Sequence, residues 1–241
     1  MQPEIVIDTP AALARIFAER FAAQAHTAMA ARGRFSCALP GGSVAETFFP
    51  VLAQAAVMWD RVDFFWGDER AVASDDAESN YGLAKALLLD PVRANPRRVH
   101  RIAGERLDVD AAAHAYEDQM MAVLGDPPRI DVIVLGVGPE GHICSLFPGH
   151  PLLRERVRRV AAIVDSPKPP PRRITLTMPA LQMAGTVYVA AFGDAKAAII
   201  REALEEPESE LPVALAIRTA QRAIVLIDPP AAGLLRKDAP P

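Results

Sequence analysis

Apolar and polar positions alternate in blocks along this chain. Residues 4–8, 35–39 and 62–66 read as short strands, and the short, nearly continuous apolar run at 131–135 as a strand buried on both faces. Longer segments with helical character separate them. An alanine-rich helix is predicted over roughly 10–31, with Thr9 as N-cap and Pro10 at the first helical position. A second helix runs through Ala45 to Ala56, a third starts at Ser79 or Asn80, and 108–124 is helical. Further strands are predicted at 160–164, 173–178, 186–192, 213–217 and 223–227, with a helix at 194–204 capped by Asp194. Strands alternating with helices predict an α/β layered domain with a mainly parallel central sheet flanked by helices.

Composition narrows the class. The 241 residues suffice for one good core, and a single domain over 1–241 is the favoured count, irregular from about 229. The chain is 51% apolar and 23% charged, which is ordinary for a soluble globular protein. Its apolar stretches break well before ~18 residues, so no membrane span is expected. The first residues carry an acid and no basic region, so a secretory signal is not expected either. Cys37 and Cys144 then read as reduced thiols of a cytoplasmic protein, and neither has metal-ligand spacing. A net charge of −4, with no basic block, argues against a nucleic-acid partner but leaves room for a small anion. A monomer is the favoured assembly. The 22 prolines gather at 126–128, 166–171 and the tail, marking stiff loops.

Three predicted strands end in glycine or charge: at Pro40-Gly41-Gly42-Ser43, at Gly67-Asp68-Glu69-Arg70, and at Gly136 through His142. In a parallel sheet these ends share one edge, so the three clusters are expected to converge. The N–H groups at Gly41 and Gly42 and the Ser43 hydroxyl, at a helix start, suit an anion. The plain alternative is a strand-to-helix turn capped by Ser43. No Gly-Lys-Ser/Thr follows, so this is not a nucleotide P-loop. Asp68 to Arg70 is either a solvated turn or a functional group, with Arg70 on a phosphate or oxyanion and Asp68 orienting a base. Lys168, between Pro167 and Pro169-Pro-Pro171 and followed by Arg172 and Arg173, is either a solvated basic loop or a pre-ordered phosphate contact. His142 is either a structural histidine or a base working near neutral pH. Gly138 and Gly141 let the backbone turn sharply and let a ligand approach the main chain. The same letters spell G-x-G-x-x-G, with Asp165 about 25 residues on, near where a dinucleotide's ribose acid is expected. Pro148, Gly149 and Pro151 would break the required helix within two turns, so NAD is excluded.

Taken together, these segments resemble the 6-phosphogluconolactonase family within the glucosamine-6-phosphate isomerase/6-phosphogluconolactonase group. The matching segments are Leu39-Pro-Gly-Gly-Ser43, Trp66-Gly-Asp-Glu-Arg70, Ser79-Asn-Tyr-Gly82, Leu135 through His150, Ser166-Pro-Lys-Pro-Pro-Pro-Arg172 and Arg173-Ile-Thr-Leu-Thr-Met-Pro179. The resemblance implies a Rossmann-like fold and a hydrolase acting on 6-phospho-D-glucono-1,5-lactone in the oxidative pentose phosphate pathway, without metal or cofactor. It further implies that Gly41, Gly42, Ser43, Lys168 and one of Arg172 or Arg173 hold the phosphate. His142 is implied as the base that activates water, with Asp68 and Arg70 in the same pocket.

The chain departs from the family at Val44, where a threonine is common, at Glu140, where aspartate is usual, and at Ile143-Cys144, where Thr-Ala is frequent. Two rivals remain. Amino-sugar-phosphate deaminases on this fold carry a glutamate where this chain has Phe147. A sugar-phosphate-binding regulator would more plausibly have lost His142 or Arg70, and both are present.

Overall fold

In the computed structural model, which describes residues 2–236, the first half runs β1 (Glu4–Ile7), α1 (Pro10–Arg32), β2 (Phe35–Leu39), α2 (Gly42–Leu52), β3 (Val62–Trp66), β4 (Asp68–Arg70), α3 (Asn80–Ala84) and α4 (Val109–Leu124). The second half runs β5 (Val132–Gly136), β6 (Val160–Ile163), β7 (Arg173–Leu176), α5 (Met178–Met183), β8 (Thr186–Ala191), α6 (Ala197–Glu205), α7 (Pro212–Thr219) and β9 (Ala223–Ile227). Six strands form one sheet in the order β1-β9-β8-β5-β2-β3, and every adjacent pair is parallel. From β2 the chain moves outward to β3, then crosses back to β5 and continues towards β8 and β9. The strand order therefore reverses between β2 and β5, and the loops leaving those strands open a crevice at the carboxyl edge.

Local chemistry accounts for most element ends. The Thr9 hydroxyl accepts the Ala12 N–H at 3.3 Å and caps α1, and Gly33, at φ 74°, ends it in the left-handed region that glycine tolerates. The predicted core strands are found, and β2, β3, β8 and β9 are buried along their whole length. Phe17 of α1 binds helix to sheet. Its ring stacks on Phe48 of α2 at 4.9 Å and meets Tyr188 of β8 edge-on at 5.1 Å.

Four expectations need correction. The apolar run 213–217 is helical, within α7, because Pro212 starts a helix and residues 213, 214, 216 and 217 bury one helical stripe. The strands near 160 and 173 do not join the parallel sheet. They form a separate antiparallel sheet, β4-β7-β6, to which Asp68–Arg70 contributes a strand rather than a surface turn. α2 begins at Gly42, which turns in at φ 62°, so Ser43 lies inside the first turn instead of capping it. Finally, Asp194 opens a 3-10 turn before α6, and Lys196 occupies the cap position of that helix. After β5 the chain folds as tight turns, Gly141 N–H to Gly138 O and Gly138 N–H to His142 O, and reaches its first helical turn only at Pro151–Arg154. Of the tail expected to be irregular, 229–236 is turns and bends, and 237–241 lies outside the described residues.

Replacing Phe17 with alanine is expected to cost about 3–5 kcal/mol, the usual range for emptying a packed aromatic site. Urea unfolding would show a lower midpoint at unchanged slope.

Candidate active site

The loops after β2, β3 and β5 meet in one cavity of about 190 Å³. Gly41, Gly42, Ser43, Asp68, Arg70, Asn80, Gly138, His142, Cys144, Arg173 and Lys196 line it, with Val44, Val137 and Phe192 supplying apolar wall.

His142 stands at the end of the β5 turn with its side chain 16% exposed. The Phe147 ring lies 4.8 Å from the imidazole, centre to centre. Nδ1 is buried, and the Glu140 carboxylate sits 3.1 Å from it, out of line for a true hydrogen bond. Burial pushes the imidazole below its ordinary pKa of 6.5; the Glu140 charge opposes this and the Lys168 charge reinforces it. His142 is thus neutral near pH 7. Gly138 makes room for the ring, since a Cβ there would lie 1.9 Å from Nδ1.

Asp68 is buried, and its carboxylate accepts the Ser145 hydroxyl at 2.6 Å and the Asn80 amide at 3.2 Å. Arg70 and Arg173 face each other directly across the β4–β7 ladder. Two like charges in that register repel, so the pair favours an anion beside it. Arg70 donates to the Glu78 carbonyl at 2.5 Å, while its buried Nε has no protein partner among the described residues. Arg173 is only 4% exposed and donates to the carbonyls of Lys168, Pro169 and Pro170. It clamps the proline loop as well as lining the cavity. Burial lowers its pKa from the ordinary value.

At the head of α2 no side chain caps the helix, so its first-turn N–H groups face the cavity with the positive end of the helix dipole. Lys196 lines the same cavity, and among the described residues its ammonium has no hydrogen bond or ion pair. Burial, with the nearby Lys168 charge, pushes its pKa down. Cys144 is no nucleophile: burial pushes its thiol well up, and only the thiolate reacts.

The profile of the glucosamine-6-phosphate isomerases/6-phosphogluconolactonase family matches residues 8–225. The chain belongs to this family. It is 42% identical to the 6-phosphogluconolactonase of Homo sapiens over 233 residues, covering 93% of this chain and 89% of the human one. It is 38% identical to that of Streptomyces coelicolor, covering 99% and 97%. The solved 6-phosphogluconolactonase of Trypanosoma cruzi superposes with a TM-score of 0.86 at 27% identity, covering 98% of both chains. A monomeric glucosamine-6-phosphate deaminase superposes with 0.82 at 22% identity, which shows that both activities of the family share this fold.

Family motifs do not all reach the cavity. Arg172 lies one residue from Arg173 on an extended backbone, so it points the other way and donates to the Leu107 carbonyl. Lys168 pairs with Glu140 at 2.8 Å and is not among the lining residues. Gly141 packs against Leu211 and Ile199 and shapes the turn at φ 88° instead of lining the cavity. Lys196, Ser145 and Glu140 were not singled out as site residues from sequence. For Lys196 the available signal was Gly193-Asp-Ala-Lys196 directly after a buried strand, at the same carboxyl edge.

Gly138→Ala should therefore abolish activity while leaving the fold intact, because the new methyl occupies the imidazole's place. Unchanged circular dichroism with at least about a hundredfold loss of turnover is the expected result, in keeping with a displaced catalytic group.

Proposed function

We propose that the protein hydrolyses 6-phospho-D-glucono-1,5-lactone to 6-phospho-D-gluconate in the pentose phosphate pathway, with His142 as the general base. The observation that carries this reading is His142 itself: a desolvated, neutral imidazole in a cavity otherwise rich in positive charge. Its Nε2 takes a proton from water as the water oxygen bonds to the lactone carbonyl carbon. The carbonyl electrons move to oxygen, and Arg70 steadies that charge. Collapse of the tetrahedral intermediate breaks the bond to the ring oxygen, which leaves with the proton from His142. Asp68, held by Ser145 and Asn80, steadies the imidazolium in between. The phosphate is held by the N–H groups at Gly41–Ser43, the Ser43 hydroxyl and Lys196, with Arg173 adding charge from the wall.

Phe147 supports the lactonase over the deaminase. It is buried against His142 and offers no carboxylate to that ring. The two free thiols, Cys37 and Cys144, support a cytoplasmic location. Among the described residues no helix is long and apolar enough to cross a membrane.

The test is a coupled assay on freshly made lactone, with spontaneous hydrolysis subtracted. Formation of phosphogluconate with no ammonia from glucosamine 6-phosphate is expected, and the reverse pattern would sink the reading. His142→Ala should lower turnover by roughly 10²–10⁴. In the parent, kcat/KM should fall as pH drops through a midpoint below 6.5, since only the unprotonated base works. Glu140→Gln should move that midpoint lower and Lys168→Met higher, following the sign of each removed charge. A midpoint indifferent to both changes would exclude His142 as the titrating base.

A further inference from the structure

Within the 68–70 cluster, Asp68 and Arg70 line the cavity and Glu69 does not. Glu69 is 3% exposed, and both carboxylate oxygens are fully engaged. Oε1 accepts the N–H groups of Arg70 and Asn80, each at 2.8 Å. Oε2 accepts the Tyr81 N–H at 2.8 Å and the Ser79 hydroxyl at 3.0 Å. Burying a carboxylate is costly unless such donors surround it, and burial still leaves its pKa raised.

Part of this is capping, since Asn80 and Tyr81 open α3 and their N–H groups both go to Glu69, while the Ser79 hydroxyl accepts the next one, of Gly82, at 3.0 Å. The same bonds fix the orientation of Asn80. That side chain is buried, and its amide nitrogen meets two oxygens of Asp68, the main-chain carbonyl at 2.9 Å and Oδ1 at 3.2 Å. Both are acceptors, which settles which end of the amide faces them. The amide oxygen then fills the space beside Gly41, lying 1.9 Å from where a Cβ at that residue would sit. One side chain thus touches both Asp68 and the anion-binding turn.

We infer that Glu69 is a positioning residue that locks the 79–81 turn so that Asn80 sets the spacing between Asp68 and the Gly41 turn. This rests on the reading under Proposed function for the roles of Asp68 and Gly41. Glu69 touches no reacting atom; it acts through Asn80. Displacing a catalytic group by about 1 Å can cost on the order of a hundredfold in rate, so small slippage of Asn80 should be visible.

The test compares Glu69→Gln, Asn80→Ala and the double variant with the parent, using kcat and KM on the lactone and the thermal midpoint of each protein. Each single change should lower kcat and raise KM, about tenfold in each, because both ends of the cavity lose their spacer. The double variant should be no worse than Asn80→Ala alone within about threefold, the non-additivity of residues acting as one unit. A Glu69 that only supports the fold would lower the thermal midpoint and leave kcat and KM of the folded protein unchanged, which would overturn the inference. Losses that multiply in the double variant would overturn it too. Where Glu69→Gln does not fold, Glu69→Asp is read the same way, since it keeps the charge but withdraws it by one methylene. A parent that turns over no lactone defeats the proposed function and not this relay. In that event calorimetry with 6-phosphogluconate decides it: about tenfold weaker binding in Glu69→Gln sustains the relay, and unchanged binding rejects it.

Discussion

All six strands of the main sheet point the same way, and the site follows from that constraint. Parallel strands end together, so segments as distant as Gly41, Asp68, His142 and Lys196 are delivered to one edge. The crevice lies between β2 and β5, where the strand order reverses, and it is there that the open head of α2 meets the turn that carries His142. The small antiparallel sheet adds what parallel strands cannot. It sets Asp68 opposite Thr175 and Arg70 opposite Arg173, and Thr175 in turn accepts the Ser145 N–H at 3.1 Å.

Burial lowers the pKa of His142, Arg173 and Lys196 alike, but only the imidazole starts near neutral pH. Desolvation favours the neutral form of His142, and the cations lining the cavity are met by few carboxylates. Glu140 sits where these demands meet. Burial alone would push its carboxyl up, but the hydrogen bond from Lys168, with His142 nearby, outweighs that and holds it below the usual range. The Lys168–Glu140 pair shields the imidazole from a bare carboxylate that would otherwise raise its pKa. Lys168, which its motif offers as a phosphate contact, is paired with Glu140 at 2.8 Å.

Much of this was legible in the chain because the informative residues follow strands that are hard to misread. Val132 to Gly136 is short, rich in β-branched residues and closed by glycines, which favours a buried strand, and His142 is six residues beyond it. The run at 213–217 defeated the same reasoning, since five apolar residues fit a strand or a helix and only the neighbouring packing decides. Asn80 was visible as a cap candidate, but its bridge from Asp68 to Gly41 spans residues that only the fold brings together. Arg172 and Arg173 could not be separated by composition. The direction in which each points depends on the register of β7, which places Arg173 opposite Arg70 and Ile163.

The most direct test of this account is a crystal structure of the protein with 6-phosphogluconate bound. The account predicts the product carboxylate within hydrogen-bond distance of His142 Nε2 and the phosphate over the Gly41–Ser43 N–H groups and Lys196. A phosphate seated against His142, or a product bound outside this cavity, would contradict it.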